Sequence, residues 1–357
     1  MDRRSFLKNS ALGGTAAATA ALAAPAIAQG NRTLTLVTSV PDGFAIFDDA
    51  AEYLKNAVNT MSGGSLTIDK KPAGSLVGAF EVFDAVSSGQ ADMYHSAEYY
   101  FGGQHPGYYF FTAVPFGGTA QELINWYQHA GGQELHDELG QIFGMKTFLA
   151  GNTGAQPGGW FRKEIESAAD LQGLKFRMPG LGGRALGNTG ASVQNVPGGE
   201  IYQALASGAI DGAEWIGPLA DERLGLQEVC EFYYTGGFHE PGSALSAAIN
   251  LDVWESLSPA HQSIIENAAM ATHHWSLAQS LEGNGAALQR LQASGTKVMS
   301  FPDDVWDAFR VGSQQAMDEF AGDELYDRIR ASFETSRDSS AAWIAASDGV
   351  FTAQRDG

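Results

Sequence analysis

An echo inside the chain restricts the fold more than any other feature. Ala85-Val86-Ser87-Ser88-Gly89-Gln90-Ala91-Asp92 and Ala204-Leu205-Ala206-Ser207-Gly208-Ala209-Ile210-Asp211 share one pattern: Ala, aliphatic, x, Ser, Gly, x, small or aliphatic, Asp. Each copy reads as a helix end stopped by glycine, which takes the left-handed backbone without steric cost, and then entry into a short strand. The copies start 119 residues apart, well beyond the roughly 20–50 residues of a stacked repeat, so they are expected at equivalent corners of two similar lobes. Coincidence is the competing explanation, because Gly-x-x-Asp behind an alanine-rich helix arises easily among 44 glycines.

The surrounding pattern is strand, loop, helix. Thr33 to Thr38 is β-prone, Pro41-Asp42-Gly43 turns the chain, and Phe47 to Met61 is amphipathic. A second strand, Leu66 to Asp69, closes at Pro72 and Gly74 and leads into a helical stretch around Val77 to Val86. Such alternation indicates an α/β protein. Beyond residue 250 the pattern changes to long helices, one opened by Ser258-Pro259 and running to about Leu291, another opened by Pro302-Asp303-Asp304. These helices are suited to bracing both lobes. The expected division is 29–151 for the first lobe, 152–240 for the second, 241–300 for a return to the first lobe with a long bridging helix, and 301–357 for C-terminal helices. Trp343, Ile344 and Phe351 remain as apolar positions that either cover a partner chain or fold back on the tail.

Residues 1–28 read as an export signal. Arg3-Arg4-Ser5-Phe6-Leu7-Lys8, a weakly apolar stretch from Ala11 to Ala24 and Ala26-Ile27-Ala28 resemble a twin-arginine signal with its cleavage site; an ordinary secretory signal leads to the same compartment, the periplasm. A net charge of −20 repels phosphate backbones and anionic headgroups, which disfavours nucleic acid as a partner. One cysteine, Cys230, supplies neither an internal disulfide nor a CxxC site.

Signatures of the easily recognised enzymes are missing: no Gly-x-Ser-x-Gly elbow, no His-Glu-x-x-His helix and no P-loop. Gly180-Leu181-Gly182-Gly183-Arg184-Ala185 fits a dinucleotide fingerprint weakly, with Glu200 at about the expected distance, and a glycine-rich turn is the simpler explanation. His273 and His274 are adjacent on a predicted helix and point to different sides, so they do not chelate one ion together. Aromatics make up 9 of the 23 residues from 94 to 116, against 11% of the chain, so most must be core. Tyr99 and Tyr100 follow directly after a strand end, where α/β proteins place binding loops; packing is the alternative for either.

The richest stretch is 151 to 240. Asn152 and Gln156 lie in a run too glycine-rich to be a helix, suited either to hydrogen bonding a small polar ligand or to a simple turn. Arg177, on the β-prone Leu174 to Met178, is either a partner for a solute carboxylate or paired with a structural acid. Glu214, the Trp215 carbonyl, Gln156 and Glu240 are oxygen donors of the kind sodium or calcium takes. An anion bridging such a cation and Arg177 would neutralise both buried charges.

Four runs, Gly-Asn-Thr-Gly-Ala-Gln at 151, Leu-Lys-Phe-Arg-Met-Pro-Gly-Leu-Gly-Gly at 174, Ala-Glu-Trp-Ile-Gly-Pro at 213 and His-Glu-Pro-Gly at 239, resemble the solute-binding proteins of tripartite ATP-independent periplasmic (TRAP) transporters. The likeness is to the branch that binds 2-oxo acids or lactate with a metal ion, and it extends over nearly all of residues 31 to 345. It implies a two-lobed architecture like that of type II periplasmic binding proteins, a cleft closing on a carboxylate, and a membrane permease as partner. By that likeness Arg177 clamps the carboxylate. Gln156, Glu214 and the Trp215 backbone hold the metal, and Asn152 with Tyr99 or Tyr100 touches the solute. Glu240 varies among relatives and bears on the choice between sodium and calcium. Some relatives dimerise through their last helix. The competing class is a twin-arginine-exported periplasmic oxidoreductase with a bound cofactor; a sensor component sharing the cleft is a third.

Overall fold

The computed structural model describes residues 31–356; the expected signal at 1–28 lies outside them. Two sheets form the framework. The first has the order β2 (Leu66–Lys71), β1 (Arg32–Thr38), β3 (Met93–Ser96), β10 (Ala244–Asn250), β4 (Met145–Asn152). Its first three strands are parallel, and β10 runs antiparallel to both its neighbours. The second has the order β11 (Lys297–Ser300), β9 (Phe232–Thr235), β5 (Gly159–Phe161), β8 (Gly212–Ala213), β6 (Lys175–Arg177), β7 (Ser192–Gln194). Helix Phe47–Met61 forms as its apolar spacing requires, turning Ala50, Ala51, Leu54 and Val58 onto the first sheet.

The echo is a structural repeat. In the first lobe helix Val82–Ser87 ends, Gly89 takes φ +77°, and the Asp92 carboxylate accepts from Thr35 N at 2.7 Å while Asp92 N donates to Thr35 O. In the second, helix Ile201–Ala206 ends, Gly208 takes φ +73°, and Asp211 exchanges the same two bonds with Lys175, its carboxylate accepting from Lys175 N at 3.1 Å. Each aspartate ties the entry of one strand to the neighbouring parallel strand, β3 to β1 and β8 to β6.

The chain leaves the first sheet after β4 and re-enters it at β10. The two crossing segments pair with each other: Thr153 N donates to Ser243 O, Gln156 N to Glu240 O and Gly237 N to Gln156 O. The third crossing is the helix Pro259–Ala293. At its start His261 meets Ser65, and Ile265, Ala268 and Ala269 pack on the first lobe with Leu34, Leu36 and Phe148. At its end Arg290 pairs with Glu222 of the second lobe. The expected return to the first lobe over 241–300 therefore needs correcting at its end: Lys297–Ser300 pairs in parallel with β9, because a 35-residue helix is long enough to carry the chain back across.

The segment after residue 302 holds three helices, Asp303–Asp318, Glu324–Ala346 and Asp348–Asp356. Gly322 at φ +102° breaks it and Asp323 caps the second helix, accepting from Tyr326 N at 2.8 Å. Helix Asp303–Asp318 lies on helix Gly180–Asn188 of the second lobe, so close that a Cβ on Gly312 would sit 2.3 Å from Ala185 O. Helix Glu324–Ala346 lies on the first lobe, with Phe333 edge-on to Phe110 and Trp126. Trp343, near the end of this helix, and Val350 and Phe351, on the third helix, are exposed. Among the described residues no helix is long and apolar enough to cross a membrane.

Candidate functional site

Arg177 is the last residue of β6 and is completely buried. Its Nε donates to Val196 O at 3.0 Å and its Nη1 to Glu214 O at 3.3 Å; Nη1 also pairs with Glu214 Oε1. Nη2 reaches across to the first lobe and donates to Tyr100 Oη at 3.4 Å. Burial opposes the guanidinium charge, but Glu214 beside it outweighs that cost and holds the pKa above the ordinary arginine value. Of the two readings left open for Arg177, the structure shows the pairing with an acid, and the same guanidinium reaches from the second lobe to Tyr100 of the first.

Around this pair the other predicted residues gather. Trp215 has its ring 5.5 Å from the Arg177 guanidinium and is packed by Phe44 and Phe47 of the first lobe. Gly198 permits this, since a Cβ there would strike the indole at 2.2 Å. Gln156 and Glu240 stand on the two paired crossing segments, both buried. Burial, and then the charge of Glu214, push the Glu240 carboxyl up to about 7. Tyr99 is buried against Tyr100, with ring centroids 4.8 Å apart, and burial followed by the charge of Glu240 pushes its hydroxyl pKa up. Asn152 stands apart: its Oδ1 accepts from Gly154 N at 2.7 Å, and no hydrogen bond among the described residues joins it to Arg177 or Glu214.

Oxygens of three of these side chains lack a protein partner although buried: Gln156 Oε1, Glu214 Oε2 and Glu240 Oε2. Leaving such groups unmatched is costly, and a cation is the species that satisfies several carboxylate and amide oxygens at once. The donor chemistry therefore fits a bound metal ion. One neighbour went unassigned in the sequence: His239, buried, with Nε2 3.6 Å from Glu214 Oε2.

The site is held from behind by residues with no motif. Asp221 is buried and accepts four hydrogen bonds, from Ile216 N, Gly217 N, Trp160 Nε1 and Tyr233 Oη, at 2.9–3.1 Å. It fixes the turn carrying Glu214 and Trp215. Ser276, Ser280 and Asn284 form a stripe along the long helix: Ser276 Oγ accepts from Asn152 N, Ser280 Oγ donates to Thr153 O, and Asn284 Oδ1 accepts from Leu219 N. The crossing segment and the second-lobe turn are thus tied to one rigid element. The glycines of the Gly180 run are occupied by packing: added Cβ atoms would meet Tyr99, His239 and Met178 O.

The family model described as bacterial extracellular solute-binding protein, family 7 (DctP), matches residues 36–323. The chain belongs to this family. A curated family member from Nostoc sp. (strain PCC 7120), named a monocarboxylate 2-oxoacid-binding periplasmic protein, is 40% identical over 301 residues, 83% of this chain and 82% of its own. A TRAP periplasmic solute-binding protein from Pseudoalteromonas atlantica T6c, solved with sodium and pyruvate bound, is 38% identical at TM-score 0.87, covering 90% of this chain and 98% of its own. Another from Colwellia psychrerythraea, solved with calcium and pyruvate, is 37% identical at TM-score 0.88, covering 91% and 99%. The two-lobed α/β architecture of this DctP-family chain is the one those structures share.

Proposed function

We propose that this chain is the periplasmic receptor of a TRAP transporter, capturing a small monocarboxylate, a 2-oxo acid such as pyruvate or the related lactate, with a sodium or calcium ion. It delivers the acid to the membrane permease and performs no covalent chemistry. The observation carrying this reading is a fully buried arginine that touches both lobes beside three buried side-chain oxygens without protein partners. Arg177 clamps the carboxylate with its planar fork of donors. Gln156, Glu214, Glu240 and the Trp215 carbonyl hold the cation, Tyr99 and Tyr100 close over the acid from the first lobe, and Asn152 contacts it from the crossing segment.

Closure follows from where these groups stand. Arg177, Glu214 and Trp215 belong to the second lobe, Tyr99 and Tyr100 to the first, and Gln156 and Glu240 to the segments between. A ligand touching all three binds the closed form best and shifts the population toward it. Exposed Trp343, Val350 and Phe351 support a homodimer contact through the C-terminal helices, checked by sedimentation of the protein truncated after Ala342, which removes all three. Calorimetry with pyruvate, lactate and longer 2-oxo acids, each with and without chelator, tests the main reading. Binding of none of them overturns it, and binding indifferent to metal removes the cation.

A further inference from the structure

His239 is 1% exposed and neither of its ring nitrogens has a protein partner. Two glycine backbones stand close against it: a Cβ on Gly182 would lie 2.5 Å from His239 Cβ and one on Gly237 2.8 Å from its Cε1. Phe238 stands edge-on to it at 5.7 Å. The side it presents inward is acidic. Nε2 lies 3.6 Å from Glu214 Oε2, and ligand atoms of Glu214, His239 and Glu240 all fall within 4.8 Å of one another. Arg177 occupies the other oxygen of Glu214, which leaves Oε2 facing the imidazole.

We propose that His239 is a ligand of the cation in this site, and that the site therefore takes borderline divalent ions such as zinc and cobalt(II) as well as hard ones. Sodium and calcium are served by oxygens alone, whereas an imidazole nitrogen favours first-row transition ions. The two glutamates supply the charge, and a nitrogen donor changes the preference without changing it. This inference rests on the proposed function, because the carboxylate and 2-oxo oxygens of the acid complete the coordination.

The test uses the full-length mature protein stripped with chelator. X-ray absorption at the zinc edge of the zinc-loaded wild type, with pyruvate present, is expected to show an imidazole nitrogen at about 2.0–2.1 Å, with no substitution needed. In His239→Gln the ratio of cobalt to calcium affinity is expected to fall by at least the roughly 10–100-fold that losing even an outer partner of a metal ligand costs. The visible absorption of bound cobalt shifts with it. A zinc shell of oxygens only, or a ratio unchanged in the variant, overturns the proposal. Calcium-supported pyruvate binding, measured on the same wild-type preparation, reports the receptor reading separately. If it is present while imidazole is absent, only the role of His239 falls; if it too is absent, the receptor reading falls and takes this inference with it.

Discussion

Replacing Arg177 separates a ligand clamp from a structural ion pair. The guanidinium is fully buried and holds Val196 O, Glu214 O, Glu214 Oε1 and Tyr100 Oη. Arg177→Ala leaves the Glu214 carboxylate buried without its counterion, and breaking such a pair from one side costs about 3–5 kcal/mol of stability. Replacing both partners, as Arg177→Met with Glu214→Gln, removes both charges while filling much of the volume, so the pair of substitutions is expected to cost less than Arg177→Ala alone. Urea unfolding at neutral pH measures this. Ligand affinity is the second readout: a charge-assisted bond to an anion is worth about 1.5–3 kcal/mol, so pyruvate binding to folded Arg177→Ala should weaken roughly tenfold to a hundredfold or more. Calorimetry in calcium, at a temperature where the variant is folded, gives the number. Affinity within about twofold of wild type would refute the clamp and leave Arg177 as the counterion of Glu214 alone.

Asp221→Asn keeps the shape but sets an NH2 against donors on one side of the residue, which loosens the turn bearing Glu214 and Trp215; calcium-supported pyruvate affinity should fall by about 1–3 kcal/mol, and unchanged affinity would remove its positioning role. Gly312→Ala drives a methyl toward Ala185 O and should lower stability by about 1–3 kcal/mol without altering affinity per folded molecule; an unchanged melting temperature would show the two helices can separate freely. Burial lowers the His95 pKa to about 4 from the ordinary histidine value of about 6.5, so the unfolded chain binds the extra proton first. Its contribution is complete above pH 6.5 and is lost as pH falls toward 4, by about 3 kcal/mol in all. His95→Gln should flatten that part of the pH–stability curve, and a curve of the same slope would count against it.

Much of the frame was legible because its determinants are local. A glycine at positive φ ends each helix and marks the repeated corner locally, while the aspartate three residues later bonds a strand 57 or 36 residues away. Arg177, Glu214 and Gln156 drew attention by residue type, with a structural ion pair or a simple turn as the open alternatives, and the structure brings Arg177 and Glu214 together as a buried pair. The supporting stripe was not legible. The buried face of helix Pro259–Ala293 includes Thr272, His273, Ser276 and Ser280, so apolar periodicity does not mark it; Ser276 and Ser280 serve backbone groups of the crossing segment, while Thr272 donates to Ala268 O of its own helix. His239 and Asp221 carry no motif: His239 faces Glu214 from another segment, and Asp221 joins the nearby Ile216 and Gly217 amides to Trp160 and Tyr233 farther away in the chain. The split at Gly322-Asp323 was also hidden, because Phe309 and Phe333 keep helical spacing while packing on different lobes.

Formal charge determines why ion and acid should bind together. At pH 8, above the raised Glu240 value of about 7, the buried site holds Arg177, Glu214 and Glu240 and carries one net negative charge. A monocarboxylate alone would make that two, which a poorly solvated site resists. Calcium alone leaves one positive charge, and calcium with the acid leaves none. Sodium with the acid leaves one negative charge. Each ion should therefore raise pyruvate affinity, with calcium doing so by the larger factor, and linkage requires pyruvate to raise calcium affinity by the same factor. Titrating pyruvate into chelated, sodium-loaded and calcium-loaded protein, and calcium into protein with and without pyruvate, closes the cycle. Equal pyruvate affinity in all three states at pH 8 would show that the acid is held without the ion, and the paired glutamates would need another explanation.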